Sequence, residues 1–451
     1  MTRLLLLLAL SGCATATPNI TPEAEPGARA LALETAVRRV LADQGSLWPG
    51  FNALEIPLAV YDGRDSWLFR HTVPPPGFVQ VGDRITSGVA RYAGRHPAIT
   101  ANSSAEIGGV MTATVVLPDG AEPDAPLAIH EAFHVFQRAR HPLWTANEAD
   151  LFTYPSDRDG LLVLRRLESA ALRRGVQSRD DGRAACWART VLELRQERFA
   201  MLDSAAISYE RGTELNEGLA TYVEYRARGG ASSPMPAGEF GASEVRQRAY
   251  ASGASLAFLL DRLAPGWQPA FDADDTQSLD GLLRVALGDG EACAFTVEER
   301  ETARTTAATD QRALVAAKAA RLATFRARDG WRVVVESPAS VLWPQGFDPL
   351  NVERVLPTAV VHARFLKLGN ERGGLEMLDA AGVDLEALTE GAGPHPLWNG
   401  VRRVEIAGIA SEPVVRTVGD SVEVTAAGIT LGMGTATVVR DGRVVLVRVG
   451  G

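Results

Sequence analysis

Two histidines four residues apart, His130 and His134, flank Glu131 in the apolar run Ala128-Ile129-His130-Glu131-Ala132-Phe133-His134-Val135-Phe136. In an α-helix, residues i and i+4 sit one above the other on the same face. Both imidazoles can therefore reach one metal ion at the roughly 2.0–2.1 Å of a zinc–nitrogen bond. Glu131 lies about 100° around the helix from His130, where it can address a metal-held water without taking a ligand position. A carboxylate so placed can accept a proton from water whose pKa a divalent cation lowers toward about 7. The competing explanation is chance, with the histidines facing solvent or packed in the core. Burying two histidines and a glutamate in an apolar helix without a partner is costly, and a metal supplies that partner.

A hydrolytic zinc takes three protein ligands and keeps one position open. The best place for the third is Glu214-Leu215-Asn216-Glu217-Gly218-Leu219-Ala220-Thr221-Tyr222-Val223-Glu224. Within it, Asn216-Glu217-Gly218-Leu219-Ala220 resembles the NEGxA signature of gluzincin zinc peptidases of the aminopeptidase branch. The resemblance implies one zinc ion per chain, held by His130, His134 and Glu217, with Glu131 as base and then proton donor to the leaving amine. It also implies a thermolysin-like, mainly helical catalytic domain. Glu214 sits near the face of Glu217 and is the main rival as third ligand, or a neighbour of the site. Glu148, in Asn147-Glu148-Ala149, is a weaker rival. Gly218 is expected to leave room for the His-bearing helix to come close.

Glu224 lies two turns beyond Glu217 on the same helix face, where the family can hydrogen-bond a zinc-held histidine and fix its tautomer. A solvated helix-face glutamate is the alternative. Tyr250-Ala251-Ser252-Gly253-Ala254 resembles the YxKG segment of the same enzymes, with Ser252 in place of the Lys. That likeness implies that Tyr250 stabilises the oxyanion of the tetrahedral intermediate. Upstream of His130, Gly108-Gly109-Val110-Met111-Thr112 keeps the glycines of a GxMEN-like edge strand but lacks its Glu. Recognition of a free N-terminus is therefore not implied, although an edge strand there could still pair with a peptide backbone. The spacing departs from the family, since 82 residues separate His134 from Glu217. The resemblance covers Gly108 to Leu263 and says nothing of the rest.

The periodicity shows what must position these groups. Apolar residues at three- and four-residue steps predict helices over Ala30–Gln44, Ala125–Arg138, Leu161–Arg174, Ala184–Met201, Glu210–Arg228, Ser243–Leu263, Ser278–Leu287 and Val297–Ala327. The pair Leu161–Arg174 and Ala184–Met201 fills the long gap between the histidines and Glu217 as a helical-hairpin insertion. The last helix is expected to pack along the helical body. Leu54–Tyr61 and Ser66–His71 flank Asp62-Gly63 as a hairpin, and Gly109–Leu117 reads as a further strand. Strands are predicted again at Trp331–Glu336, Thr358–Leu368, Val401–Ile409, Ser421–Ala426 and Val444–Val449, with a turn at Asp441-Gly442. The expected fold class is α+β. A mixed α/β region with a substrate-edge strand (29–124) precedes a helical zinc-peptidase domain (125–329) and a C-terminal β domain (330–451).

With 46 basic against 55 acidic side chains, a net charge of −9 and no run of like charge, the chain has no basic stripe for nucleic acid. Its 46% apolar and 22% charged composition is that of a globular protein. At the N-terminus, Arg3 precedes the apolar run Leu4–Leu10 and then Ser11-Gly12-Cys13. The run is too short to span a bilayer but fits a signal peptide (1–12), and Leu10-Ser11-Gly12-Cys13 resembles a bacterial lipobox. Cleavage before Cys13 and acylation of its thiol would anchor the mature chain to a membrane through the tether 13–28. Ala14, rather than Asp, favours the outer membrane, with the catalytic domain outside the cytoplasm. In that oxidising compartment Cys186 and Cys293 can form a disulfide or remain two free thiols.

The expected function is a membrane-anchored zinc-dependent peptidase acting on peptides or proteins through a metal-activated water. The competing reading is a non-catalytic envelope lipoprotein whose degenerate gluzincin scaffold binds a partner or metal. The intact Glu131 favours the enzyme, because no structural zinc site requires it. The lipobox yields a first prediction: the mature protein pellets with membranes and partitions into detergent, and Cys13→Ser abolishes both. A Cys13→Ser protein that still pellets and partitions contradicts the anchor.

Overall fold

The computed structural model describes residues 27–81, 88–117, 120, 122–230, 234–348, 351–378 and 384–450. The expected signal peptide 1–12, Cys13 and all but the last two residues of the expected tether lie outside them. The described residues form an α+β chain of ten helices and three sheets, with a helical middle and a C-terminal β region. No described helix is long and apolar enough to cross a membrane. Contacts divide the chain into two units, Met1–Gly45 with Asn52–Val135, and Ser46–Phe51 with Phe136–Gly451.

The first unit contains α1 (Ala28–Gln44) and a six-stranded sheet of β1 (Leu58–Tyr61), β2 (Ser66–Phe69), β3 (Val79–Val81), β4 (Val89–Tyr92), β5 (Ser103–Ile107) and β6 (Val110–Val116). Strand order is β3-β4-β2-β1-β6-β5. The Asp62-Gly63 hairpin forms as expected, with Tyr61 opposite Ser66. Asp62 Oδ1 accepts from the amides of Arg64 and Asp65 and closes the turn. Residues 54–57 do not join β1, since Ala53–Glu55 is a short 3₁₀ turn. The expected edge strand requires correction. Gly108 and Gly109, both at positive φ, make the tight turn of a β5–β6 hairpin, which folds β5 outside β6. β6 is thus interior, paired with β1 and β5, and β5 is the edge. Next comes α2 (Ala125–Arg140), which carries the His-Glu-x-x-His segment.

The second unit holds α3 (Asp159–Gln177), α4 (Asp181–Phe199), α5 (Ser204–Thr213), α6 (Leu219–Ala227), α7 (Val245–Leu263), α8 (Gln268–Asp272), α9 (Leu279–Leu287) and α10 (Val297–Arg326). Asp180 and Asp203 cap α4 and α5, and Thr296 with Glu299 forms a capping box on α10. Cys186 and Cys293 are joined in a disulfide, which ties α4 to the segment before α10. α10 runs along α3 through Arg166–Asp310 and Arg174–Glu299 ion pairs. Farther along, Leu322 and Phe325 pack on Val361, Leu388 and Ala407 of the β region.

That β region comprises β7 (Trp331–Glu336), β8 (Trp343–Phe347), β9 (Val352–Leu356), β10 (Ala359–Ala363), β11 (Phe365–Asn370), β12 (Gly373–Leu378) and β13 (Glu386–Gly391). It continues with β14 (Val401–Ile409), β15 (Val414–Val418), β16 (Ser421–Ala426), β17 (Ile429–Met433), β18 (Ala436–Asp441) and β19 (Val444–Val449). One sheet is ordered β18-β19-β7-β14-β13-β10-β9 and the other β15-β16-β17-β12-β11-β8. Their facing side chains, among them Val333, Val335, Val404, Leu366, Met377 and Leu431, share one core. The single strand expected over Thr358–Leu368 is two strands in different sheets. Arg364, at φ 74°, breaks the ladder between them and carries the chain across.

The α3–α4 hairpin contributes more than bulk. Glu168 of α3 accepts from Arg195 Nε at 2.9 Å and from Arg198 Nε at 2.7 Å, both on α4. Arg198 Nη2 donates to Glu210 of α5 at 2.8 Å, and Arg195 Nη1 donates to Glu214 at 2.8 Å. Arg248 of α7 lies 3.2 Å from Glu168. Three arginines and three glutamates, every side chain at most 3% exposed, thus neutralise one another in the interior. Burial opposes ionisation of Glu168, but the charges of Arg198, Arg248 and Arg195 outweigh it and hold its pKa far below the ordinary value. Its stabilising effect is therefore complete above the ordinary carboxylate range and is lost only in strongly acid solution. Removing one partner leaves a buried charge uncompensated. Glu168→Ala should lower unfolding free energy by about 3–5 kcal/mol in urea denaturation. A loss below about 1 kcal/mol would place this pair with solvent-screened ones.

Candidate metal centre

On α2 the apolar residues Ala128, Ile129, Ala132 and Phe133 are fully buried, and His130 and Glu131 are buried with them at 6% exposure each. His134 is half-buried. The helical repeat brings the two imidazoles edge to face, with Nε2 of His134 3.1 Å from Nε2 of His130. Two donors about 2.05 Å from a tetrahedral zinc stand roughly 3.3 Å apart, so this spacing suits a shared ion. The C-terminal end of the helix is pinned. His141 stacks on Trp144 at 3.7 Å, and its ring nitrogens lie 2.6 Å from Asp275 and 2.8 Å from Asp272. Arg140 and Trp48 also donate to Asp272, whose pKa these bonds lower against the opposing effect of burial.

The expected helix Glu210–Arg228 is not regular. Glu214–Gly218 forms a π turn between α5 and α6. Such a turn inserts a residue into the α-helical register, and π segments occur often at functional sites. Here it separates two glutamates that a regular helix would place on one face. Glu214 turns to Arg195 and also accepts from Ser252 Oγ at 2.5 Å. It belongs to the buried ion network and lies outside the group in which it was expected as a rival or neighbour of Glu217. Glu217 instead joins the histidines: one ligand atom each from His130, His134 and Glu217 lie within 4.8 Å of one another. Among the described residues this is the one such group of three metal-binding side chains.

Close packing secures the π turn. The side-chain amide of Gln137, one turn beyond His134 on α2, donates to the carbonyls of Leu215 and Asn216, each at 2.9 Å. On the other side α7 approaches through glycines. A Cβ on Gly218 would lie 2.7 Å from Gly253 Cα, and one on Gly253 would lie 2.6 Å from the Glu214 carbonyl. The room left by Gly218 therefore admits α7, not the His-bearing helix as expected.

α7 also presents Tyr250. Its phenol shares a hydrogen bond with Glu217. Burial, followed by the charge of Glu217, raises its pKa well above the ordinary tyrosine value. Sequence reasoning missed the residue that joins these groups, Arg246. Its Nη1 donates to the Tyr250 hydroxyl, its Nη2 donates to Glu217 Oε1 at 2.9 Å, and its Nε donates to Glu148 Oε1 at 3.1 Å. Glu148 also accepts from Tyr209 at 3.2 Å and lies outside the group of His130, His134 and Glu217. Glu224 is partly buried on α6 and accepts from Arg228 at 2.8 Å. The signal for Arg246 was available in its place one helical turn before Tyr250.

Comparison with protein-family models, with curated proteins and with solved structures finds no match.

The three glutamates have different surroundings, and the roles expected of them can be tested. Glu217→Ala should lose zinc almost completely in chelator competition, and Glu224→Ala should weaken affinity about 10–100-fold. Glu214→Ala should leave zinc affinity unchanged while lowering stability. An empty site in Glu214→Ala with metal retained in Glu217→Ala would reverse the assignment.

Proposed function

We propose that the chain is a zinc-dependent peptidase of the gluzincin type, tethered to the bacterial envelope through Cys13 and acting on peptides or proteins. The observation that carries this reading is the approach of His130, His134 and Glu217, with Glu131 next to the first histidine on the same buried helix. The donor set fits zinc: two imidazole nitrogens and one carboxylate are the ligands of catalytic zinc in several hydrolases, with a fourth position open. Zinc, when bound, supplies Lewis acidity that polarises a carbonyl and makes water acidic near neutral pH.

The protein's own groups carry the proton transfers. Glu131 takes a proton from the attacking water and passes it to the departing amine. Tyr250 keeps its proton and turns its hydroxyl from Glu217 toward the oxygen on which negative charge develops, the role of an oxyanion-hole donor. Glu224, two turns past Glu217, orients an imidazole ligand. The α3–α4 hairpin is the insertion that lengthens the gap between ligands, and the C-terminal sheets lie outside the segment that resembles gluzincins.

Glu131→Gln preserves size and removes the base. Bound zinc should stay near one per chain while hydrolysis of a peptide library falls by about 10²–10⁴-fold. Undiminished turnover in this variant contradicts the assignment. A wild-type protein that binds zinc but cleaves no peptide favours the non-catalytic scaffold.

A further inference from the structure

We propose that Arg246 is a positioning residue of this metal centre, holding the third ligand and the oxyanion donor in one fixed relation. The inference rests on the zinc-peptidase reading above. Each of the three guanidinium nitrogens has a different partner: Tyr250 Oη on Nη1, Glu217 Oε1 on Nη2 and Glu148 Oε1 on Nε. The guanidinium carbon also lies 5.1 Å from the centre of the Tyr250 ring. A planar fork with donors in fixed directions sets the relative orientation of its partners, which a single ammonium on a flexible stem does not.

Two consequences follow at the site. With Oε1 engaged by Arg246, the carboxylate of Glu217 is held in one orientation. The Tyr250 oxygen, already accepting from a cation, must direct its own proton elsewhere. Polarisation along such a chain makes the hydroxyl a stronger donor. Arg246 also places a positive charge between the carboxylates of Glu217 and Glu148. Ser252, which occupies the place of a lysine in the resembled motif, is turned to Glu214 and cannot serve this end. The cation of the site comes instead from one turn before the tyrosine.

The test compares zinc affinity, by chelator competition, in wild type, Arg246→Gln, Arg246→Lys and Glu148→Gln, with melting temperatures of the zinc-free proteins alongside. Arg246→Gln should bind zinc about 10–100-fold more weakly, as when the hydrogen-bond partner of a metal ligand is lost, with little change in the zinc-free melting temperature. Arg246→Lys should fail to restore affinity, because one nitrogen cannot hold three partners. Glu148→Gln should bind zinc as wild type does. Loss of peptidase turnover on Arg246→Gln should largely vanish when tested in a Tyr250→Phe background, since the two act as a unit. Wild-type zinc affinity in Arg246→Gln overturns the proposal and leaves the metal reading standing, whether or not the fold is destabilised. Full rescue by Arg246→Lys likewise overturns it. A wild-type protein that binds no zinc overturns both.

Discussion

The π turn at Glu214–Gly218 is the constraint around which the candidate site is arranged. It decides that two glutamates three residues apart point to different surroundings, one into a buried ion network and one toward two histidines. An insertion of this kind leaves backbone carbonyls poorly matched to helical donors, and it persists only where neighbours meet their needs. Gln137 bonds two of those carbonyls. Arg195 and Ser252 occupy both oxygens of Glu214. Gly218 and Gly253 let α7 approach almost to backbone contact. Each of these residues would be unremarkable elsewhere; together they hold Glu217 in place.

The helical hairpin α3–α4 acquires a function from the same argument. Three buried arginines and three buried glutamates are a weak source of net stability, because desolvation offsets most of their attraction. Their value lies in direction. A guanidinium bonded to carboxylates on two different helices fixes the rotation of both, and Arg195 does this for Glu168 on α3 and Glu214 at the π turn. The hairpin within the 82 residues that separate His134 from Glu217 in sequence thereby supports the turn that carries Glu217. α7 completes the frame, giving Arg248 to the network on one side and Tyr250 with Arg246 to Glu217 on the other.

The sequence made some of this legible and hid the rest for physical reasons. The other expected helices and the hairpins at Asp62-Gly63 and Asp441-Gly442 follow from side-chain period and turn chemistry, whereas α5 was not foreseen and the helix expected over Glu210–Arg228 is broken. The π turn leaves almost no trace, because one added residue barely disturbs the apolar pattern of the nineteen residues Glu210–Arg228. The buried network was illegible since Arg and Glu on a helix ordinarily face water, and no local pattern distinguishes Glu168 from a solvated glutamate. The interior place of β6 depends on β5, whose Ser-Ser-Ala-Glu-Ile sequence carries little strand signal. The passage of the chain between sheets at Arg364 depends on a left-handed residue that is not a glycine. At the candidate site, the grouping of His130 and His134 with Glu217 was anticipated from spacing and a short motif. The sole local trace of Arg246 was its place one turn before Tyr250, because its partners come from three separate elements.

The central claim is that one zinc ion is held by His130, His134 and Glu217. Anomalous diffraction from crystals of the zinc-loaded protein, recorded on both sides of the zinc absorption edge, tests it most directly. The account predicts a single strong peak about 2.0–2.2 Å from Nε2 of each histidine and from one carboxylate oxygen of Glu217. Zinc lodged at Glu214 or Glu148, or no zinc between the two histidines, would contradict it.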